Sequence, residues 1–436
     1  MLKSHSSKGL CPPELVVSVW LRKFMSKKNI RSVYDSSILN KKSQISDDKI
    51  TTVVIFALIV ASLLTESILL PASVAYIVVV IFYIFLGIVA LRFDLSIRMP
   101  YWAFMLLFSI WILYLLHLIS PIFIERSMPI GVIIRPPVYI IFGLVNLFIV
   151  PYLLSPKRFF SFLGALSTVL VLIGLPMRYI NIQVLWIDFS TWGTMDLLGQ
   201  NVFRITSIFW NPNVAGFLFM IGVVVSVVIY VNSKSTLWLA QSVINATGVL
   251  LTNSRAVYLG VAAGISFFVF FYFTNAHLTK LAVVCYSIAS SIGVLVFANV
   301  LPRPASIGPA DFGERPGLWE GAVEAITNAP FGYGTQPSAE IMQPYVLEVT
   351  GGVHNSYLRV FLTTGIIGGI AYVLFVVFSI LSTVHNKART EHYLTFGTVI
   401  AIATREIFST NTVFGISMTS ILASIIFGYA IRLSYK

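Results

Sequence analysis

Long apolar runs follow one another along most of this chain, with short polar breaks between them. Each run is close to the roughly 20 residues that an α-helix needs to cross the hydrocarbon core of a bilayer. We therefore predict about twelve membrane-spanning helices, with both ends of the chain on the same side. The runs lie at about residues 51–65, 68–91, 100–120, 130–153, 159–176, 213–231, 236–252, 256–273, 281–301, 356–383, 393–408 and 413–431.

The composition agrees with this pattern. The 436 residues are 57% hydrophobic and only 11% charged, whereas about 25% of the residues in a soluble protein are charged. We therefore predict an all-α integral membrane protein, with a single polytopic domain over residues 50–436 behind a basic tail. Two cysteines, Cys11 and Cys285, exclude a disulfide framework and a cysteine metal site. Phosphate-loop, dinucleotide and hydrolase motifs are absent, so ATP and sugar nucleotides are not expected substrates.

The basic residues orient the helices. Residues 1–49 hold ten lysines and arginines and lack a cleavable signal pattern, so this tail and the C-terminus are expected in the cytoplasm. In a membrane protein the location of the charge is more informative than the net charge of +12, and the basic tail is expected to bind anionic lipid or a cytoplasmic partner. With this orientation every lysine falls on the inner side. The basic residues left over are all arginines: Arg126, Arg135, Arg178, Arg204, Arg255, Arg303, Arg315, Arg359 and Arg405.

Two predicted outer segments are long, at about residues 177–209 and 302–353. The second lies between the ninth and tenth helices and contains six acidic residues: Asp311, Glu314, Glu320, Glu324, Glu340 and Glu348. Within it, one helical face is apolar while Glu320 and Glu324 share another, which predicts a short amphipathic helix on the membrane surface. The apolar face consists of Leu318, Trp319, Ala322, Val323 and Ile326. Residues 330–334, with Pro330, Gly332 and Gly334, should end this helix.

Ionisable groups near membrane depth are costly and are therefore candidates for function. His354, followed by Asn355, opens the tenth apolar run. A helix N-terminus favours the neutral imidazole, which can accept a proton, so His354 is the candidate general base. Arg255 lies in a break too short for a loop, and Arg204 precedes a helix start at Pro212 and Asn213 that would expose backbone N–H groups to an anion.

Further arginines are open to two interpretations. Arg315, near Trp319, and Arg359, about one turn after His354, either bind substrate or pair with neighbouring groups. A structural role is favoured for the remaining ionisable groups within or beside the apolar runs, which are Arg405, Glu406, His117 and Arg135. Arginine forks, a histidine at a helix N-terminus and an outer loop suit a lipid-linked diphosphate, because the arginines neutralise the leaving group and the histidine takes a proton from the attacking hydroxyl. This arrangement predicts neither a metal ion nor another cofactor.

In the order and type of these residues, the chain resembles the O-antigen ligase and polymerase superfamily of bacterial envelope glycan assembly. The matching stretches are Arg204 with Asn211-Pro212-Asn213, Thr252-Asn253-Ser254-Arg255, Arg315 and Trp319 leading to Pro330, Gly332 and Gly334, and His354-Asn355-Ser356-Tyr357-Leu358 with Gly365 and Gly368. The resemblance covers residues 200–380 by motif and the rest of the chain by topology only.

The resemblance implies a multi-pass glycosyltransferase of the bacterial cytoplasmic membrane. Such an enzyme transfers a glycan from undecaprenyl diphosphate to a hydroxyl group of a glycan or lipid-linked acceptor on the outer face, with inversion and without a metal. By the same resemblance, Arg204, Arg255 and Arg315 hold the diphosphate and His354 acts at the acceptor, supported by Asn213, Trp319, Asn355 and Arg359.

Three activities within the superfamily remain open: ligase, polymerase and protein O-oligosaccharyltransferase. A ligase is slightly favoured, because a single histidine-bearing loop precedes the tenth span and no extra outer domain is present. The alternative from another class is a transporter or flippase of a glycolipid. Transporters place polar groups near the bilayer midplane, whereas the candidates here cluster at the outer edge, which favours an enzyme.

Overall fold

The apolar runs form α-helices, because a helix satisfies its own backbone hydrogen bonds where water is absent. The computed structural model describes residues 49–93, 95, 97–119, 130–177, 183–184, 187–188, 193–197, 200–302, 315–346, 352–385 and 388–434. Residues 1–48 lie outside this range, as do parts of both predicted outer segments. Predictions for the basic tail and for Arg126, Arg178, Arg303, Asp311, Glu314 and Glu348 therefore fall outside the described residues.

Fourteen helices make up the described part of the chain. They are α1 (Lys49–Leu64), α2 (Ala72–Ala90), α3 (Tyr101–Leu116), α4 (Ile130–Leu144), α5 (Pro156–Met177), α6 (Pro212–Ser233), α7 (Thr236–Thr252), α8 (Arg255–Phe273), α9 (Ala276–Phe297), α10 (Arg315–Asn328), α11 (Ser338–Met342), α12 (Ser356–Ser382), α13 (Thr390–Glu406) and α14 (Met418–Leu433). After Leu144, α4 runs on through a π-helical segment, Val145–Ile149, into the last turn, Val150–Leu153.

Seven of the described helices are long and apolar enough to cross a membrane, namely α2, α4 with its continuation, α5, α6, α8, α9 and α12. Four shorter apolar helices, α1, α3, α7 and α14, lie in further predicted runs. The remaining predicted run corresponds to α13, whose 17 residues include His392, Arg405 and Glu406. The described part of the chain is thus that of a multi-pass membrane protein, and the number of twelve spans stays a prediction.

The core is built around α6, which is buried along most of its length and packs against α5, α7, α8 and α13. Small residues allow α8 and α13 to approach closely: a Cβ atom at Gly264 would lie 2.7 Å from the carbonyl oxygen of Gly397. Close packing through small residues is typical of helix pairs in membranes. On another side of the core, α12 packs against α3, and α14 packs against the π-helical segment after α4.

Backbone contacts gather several helix ends at one end of this unit, which we call the site end. The N–H of Ile205, between the strands and α6, donates to the carbonyl of Leu251 near the end of α7 (2.9 Å). The N–H of Trp210 donates to the carbonyl of Glu66, in the turn between α1 and α2 (3.3 Å). The N–H of Met418, at the start of α14, donates to the hydroxyl of Thr65 (3.1 Å).

Two short antiparallel hairpins lie between α5 and α6, where the sequence predicts the first outer segment. β1 (Gln183–Val184) pairs with β2 (Ile187–Asp188), and β3 (Thr194–Leu197) pairs with β4 (Gln200–Phe203). The backbone N–H of Arg204, directly after β4, donates to the carbonyl of Gly193 (3.2 Å). The second hairpin therefore leads the chain to Arg204.

Two predictions about these elements need correction. The last apolar run was expected to be helical from about residue 413, but α14 begins at Met418, after an irregular segment. The predicted amphipathic helix exists as α10, and Glu320 and Glu324 are exposed on it as expected. However, its apolar face does not lie free for the membrane surface, because it packs against protein residues that include Phe297, Val353 and Leu362.

Candidate active site

The segment before α12 holds His354 in an unusual backbone conformation. Asn355 caps the helix, and its side-chain oxygen accepts a hydrogen bond from the N–H of Leu358 (3.0 Å). His354 thus precedes the cap by one residue, with a φ of 47°, a left-handed conformation that few non-glycine residues adopt. The side chain of His354 is half-buried, whereas Asn355 is fully buried. The predicted position at a helix N-terminus is confirmed, although the histidine lies just outside the first turn.

Asn355 also carries a polar atom with no recorded partner. Its side-chain nitrogen is buried and makes no hydrogen bond to the protein. Most buried polar groups have a partner in the protein or an ordered water, so this N–H₂ group is available to a small ligand atom or a water. It lies on the residue next to His354, at the start of α12.

Trp319 of α10 holds the chain just before His354. Its indole Nε1–H donates to the carbonyl oxygen of Val353 at 3.0 Å, and the ring is almost fully buried. The ring also packs near Phe297 and Phe408, with centroids 6.5 and 6.1 Å away. Trp319 was predicted as a supporting residue, and its hydrogen bond fixes the residue before His354.

Arg315 and Arg255 lie within electrostatic range of each other although they are 60 positions apart in the sequence. Arg315 is the first residue of α10, and its guanidinium lies over the ring of Phe408 at 5.8 Å from the centroid. Partial burial, together with the nearby positive charge of Arg255, lowers the pKa of Arg315 from its ordinary value. Arginine stays charged in proteins, so this end of the molecule holds two guanidinium groups that repel each other.

Arg204 binds the short turn between α7 and α8, which leads into Arg255. α7 ends at Thr252 and α8 begins at Arg255, as the sequence predicted. The Nε–H of Arg204 donates to the carbonyl oxygen of Thr252 (2.8 Å), and a terminal N–H donates to that of Asn253 (3.4 Å). Partial burial lowers the pKa of Arg204. Arg204 is therefore anchored beside the residue that leads into Arg255, with further N–H donors left over.

Asn213 lies in the first turn of α6, directly after the proline that begins the helix. α6 begins at Pro212, and the capping side chain is that of Asn211, which accepts from the N–H of Asn213 at 2.8 Å. The carbonyl oxygen of Asn213 accepts a hydrogen bond from the buried guanidinium of Arg405 (3.3 Å). Arg405 also lies over the ring of Phe217, 4.8 Å from its centroid. These contacts agree with the structural role predicted for Arg405.

The neighbours of Arg405 include a buried carboxylate that the sequence analysis did not single out. Glu66 lies between α1 and α2, outside both helices, and its carboxylate accepts a hydrogen bond from the N–H of Thr419 (3.3 Å). Burial raises the pKa of Glu66 to about 7, while the nearby charge of Arg405 acts in the opposite direction. Glu406 uses a different partner, the hydroxyl of Tyr372 at 2.9 Å. Adjacent Arg405 and Glu406 thus have separate partners, as expected from their helical positions.

The Pro330 motif contacts a break within α12. Gly365 has a non-helical conformation, with φ 71° and ψ −170°, which leaves carbonyl groups in the preceding turn without helical partners. The N–H groups of Tyr333 and Gly334 donate to the carbonyls of Leu362 (2.7 Å) and Thr363 (3.0 Å). In return, the N–H of Ile366 donates to the carbonyl of Pro330 at 2.9 Å. The motif after α10 and the glycines of α12 therefore form one unit, which the sequence alone did not reveal.

The remaining candidates lie at the same end but in other surroundings. Arg359, in the first turn of α12, donates to the carbonyl of Thr410 (2.6 Å), and Arg135 of α4 donates to that of Thr335 (3.2 Å). The Nδ1 atom of His117 lies 2.6 Å from the carbonyl of Leu113 in its own helix. Among the residues that the structure describes, no group of three or more His, Cys, Asp or Glu side chains is arranged to hold a metal ion.

These positions give a chain of contacts from Arg204 to His354. Arg204 binds the turn before Arg255, and Arg255 lies within electrostatic range of Arg315. Trp319 lies on the same helix as Arg315 and donates to the carbonyl of the residue before His354. Four of the eight predicted site residues, Arg255, Arg315, Trp319 and His354, are thus placed along α10 and its contacts.

No curated protein matches the chain. Residues 240–373, which include most of this chain of contacts, match the family model described as O-Antigen ligase. This match supports a relationship between that part of the chain and the O-antigen ligase and polymerase superfamily.

Proposed function

We propose that this protein is an O-antigen ligase-like glycosyltransferase, which moves a glycan from undecaprenyl diphosphate to a hydroxyl acceptor at the outer face of the cytoplasmic membrane. The observation that carries the proposal is the proximity of Arg255 and Arg315. Two guanidinium groups close enough to repel each other form a strong site for an anion of more than one charge, because a diphosphate relieves the repulsion and accepts several N–H donors. Arg204, which binds the turn that leads into Arg255, would supply further donors.

The proposed reaction is a single displacement. The acceptor oxygen forms a bond to the anomeric carbon while the bond from that carbon to the diphosphate breaks, and its electron pair leaves on the diphosphate. His354 takes the proton of the acceptor hydroxyl, and the arginines stabilise the charge that develops on the leaving group. One displacement inverts the anomeric centre. The guanidinium groups supply the charge neutralisation, so the proposed mechanism needs no metal ion.

The acceptor distinguishes the two leading activities. A ligase transfers the glycan to a lipid A core, and a polymerase transfers it to another lipid-linked repeat unit. The match of residues 240–373 supports the superfamily that contains both. We keep the ligase as the first proposal and the polymerase as its alternative.

The experiment is glycan transfer by the purified protein in liposomes, with an undecaprenyl-diphosphate glycan, EDTA and each acceptor in turn. We expect product with the wild type, and a loss of at least about 100-fold with His354→Ala and with Arg255→Ala. Matched controls are His277→Ala and Arg92→Ala, which change exposed residues at the end of the helices away from the site end. These controls should retain activity. Movement of the lipid between leaflets without transfer to any acceptor would instead favour a flippase.

A further inference from the structure

A second polar cluster lies beside α12, next to the candidate active site but around the helix from it. Leu358 and Leu362 of α12 pack against the apolar core that contains α10. Arg359 and Thr363, the next residue in each turn, lie instead beside Tyr114 of α3. The start of α12 therefore has one face toward the apolar side of α10, and an adjacent face toward α3.

The second cluster consists of Tyr76 of α2, Tyr114 of α3, Arg135 and Tyr139 of α4, and Arg359 of α12, and we call it the tyrosine cluster. The rings of Tyr114 and Tyr139 meet edge to face, with centroids 6.3 Å apart. Tyr76 lies within electrostatic range of Glu66, Tyr139 and Arg135, and Tyr114 within that of Tyr139 and Arg359. Residues from four helices are thus brought to one place.

Both arginines of the tyrosine cluster keep most of their hydrogen-bonding capacity. Arg135 donates to the carbonyl of Thr335 (3.2 Å), and Arg359 donates to that of Thr410 (2.6 Å). A guanidinium group has five N–H donors, so each has several left. Within the part of the chain that the structure describes, neither arginine forms an ion pair with a carboxylate. Both are only half-buried, so a ligand can reach them.

The position of these groups along their helices favours a role in binding. Tyr76 and Arg135 lie in the second turn of α2 and α4, and Arg359 lies in the first turn of α12. Charged groups this close to the membrane are costly unless they face a partner or a water-filled opening. Each arginine needs only one N–H to anchor its loop, at Thr335 or at Thr410. This structural role does not explain why tyrosine hydroxyls lie beside the two arginines.

We propose that the tyrosine cluster is a second anion site, which binds a phosphate group of the acceptor lipid. This proposal rests on the proposed glycosyl transfer, in which two lipid-linked substrates must meet at His354. The donor diphosphate would lie at Arg255 and Arg315, and the acceptor phosphate around α12 at Arg135 and Arg359. Arg359 lies in the first turn of the same helix that His354 precedes, so a phosphate held there keeps the acceptor lipid at the same end of the molecule as the general base. The tyrosine hydroxyls would donate further hydrogen bonds to the phosphate oxygens.

Phosphate at the acceptor can come from two sources, and the experiment has an arm for each. One acceptor is a phosphorylated glucosamine lipid of the lipid A type, and the other is an undecaprenyl-diphosphate glycan. Each is compared with a matched lipid glycan without phosphate, in nanodiscs that contain the full-length protein. Equilibrium binding of the acceptor is measured alone, and transfer kinetics then give KM for the donor and for the acceptor separately.

We expect the wild type to bind a phosphorylated acceptor from one of the two arms at least about tenfold more tightly than its phosphate-free match. Arg135→Gln and Arg359→Gln should abolish this difference and raise the acceptor KM about tenfold, with the donor KM changed less than about twofold. Tyr139→Phe, which keeps the ring and removes the hydroxyl, should raise the acceptor KM by a smaller factor. Arg255→Gln should show the reverse pattern, with weaker donor binding and unchanged acceptor binding.

Three results would overturn the proposal. The first is equal binding of the phosphorylated and phosphate-free acceptors in both arms. The second is an equal rise of the donor KM and the acceptor KM in the Arg135 and Arg359 variants. The third is a folded Arg135 or Arg359 variant that keeps the preference for the phosphorylated acceptor. Thermal unfolding and the Arg135→Lys variant separate binding from folding, because lysine keeps the charge but loses the planar fork. If the wild type transfers no glycan at all, the proposed function fails, while acceptor binding still tests the tyrosine cluster.

Discussion

The hydrogen bond from Trp319 to the carbonyl of Val353 links α10 to the residue before His354. We predict that Trp319→Phe lowers kcat about tenfold with little change in the donor KM. Phenylalanine keeps most of the buried ring and removes only the N–H donor, which leaves a buried carbonyl unpaired at a cost of about 1–3 kcal/mol. The histidine segment, which already holds a left-handed residue, should then lose its fixed position. Transfer kinetics and thermal unfolding in detergent measure the two effects.

A control for this substitution is Phe297→Leu, which changes the packing around the same indole ring without removing a donor. If Phe297→Leu reduces kcat as much as Trp319→Phe does at equal thermal stability, then packing and not the hydrogen bond positions His354. Equal kcat values for Trp319→Phe and the wild type would contradict the role that we give to the bond.

Glu66 gives a prediction about pH. Burial raises its pKa to about 7 from 4.5, so between these values the folded protein holds a proton that the unfolded chain has released. The free energy of unfolding should therefore fall as the pH rises from about 4.5 to 7, by at most roughly 3 kcal/mol from this residue. Glu66→Gln should remove this part of the pH dependence. Melting temperatures of both proteins at pH 5 and pH 8 test it, with Glu324→Gln, an exposed carboxylate, as the control.

Individual site residues differ in how far the sequence could predict them. Arg204 and Arg255 were predictable, because Arg255 lies in a short polar break between two apolar runs and Arg204 precedes a helix start that Pro212 makes clear. Glu66 also lies in such a break, but only the packing of α14 against the turn between α1 and α2 buries it. The pairing of Arg255 with Arg315 depends in the same way on how α8 and α10 meet. Local sequence shows where a charge lies along the chain, and tertiary packing decides which charges become neighbours.

The break in α12 depends on two segments that are more than 30 positions apart. We predict that Gly365→Ala lowers the melting temperature by several degrees and reduces transfer. A Cβ atom at Gly365 would clash with the carbonyl oxygen of Pro330, and the φ of 71° disfavours any residue with a side chain. Loss of the contact between the break in α12 and Pro330 would free the turn after α10 and thereby disturb Trp319. Differential scanning fluorimetry and transfer kinetics measure both effects.

Gly293→Ala is the matched control for Gly365→Ala. Gly293 lies inside α9, and a Cβ atom there would have no heavy atom within 4 Å. Alanine has a higher helix propensity than glycine, by about 1 kcal/mol in a helix interior, so this variant should be at least as stable as the wild type. A Gly365→Ala protein as stable and active as Gly293→Ala would show that the break in α12 does not need glycine.

The helices were predictable from the long apolar runs, whereas their ends were predicted within a few residues only. α6, α7 and α8 begin or end at clear signals, such as Pro212 after Asn211 and the turn at Asn253. α14 starts later than its apolar run, because the side chain of Ser417 caps the helix and the irregular residues before it bind Tyr372 through the N–H of Val413. Hydropathy does not distinguish an apolar helix from an apolar segment that packs inside the protein.

The arrangement of the molecule in the membrane follows from which helix ends meet. The turns at Glu66 and Asn253 and the segment around Arg204 share the site end, together with the starts of α6 and α14. The turn at Lys234, between α6 and α7, belongs to the other end of the same helices. If the lysines follow the positive-inside rule, the site end faces outward. The acidic and arginine-rich segments around α10 would then meet substrates outside the cytoplasm.

Cysteine labelling tests this orientation directly. In a protein with Cys11→Ser and Cys285→Ala, we predict that a membrane-impermeant maleimide added from outside labels Asn253→Cys but not Lys234→Cys until the membrane is opened. The two positions are well matched, because both are exposed turn residues with positive φ, 49° and 56°, at opposite ends of α7. The backbone cost of cysteine is therefore similar at both, and a difference in labelling reports the side of the membrane. Labelling of Lys234→Cys alone from outside would invert the topology and place His354 in the cytoplasm, where an outer-face transferase cannot work.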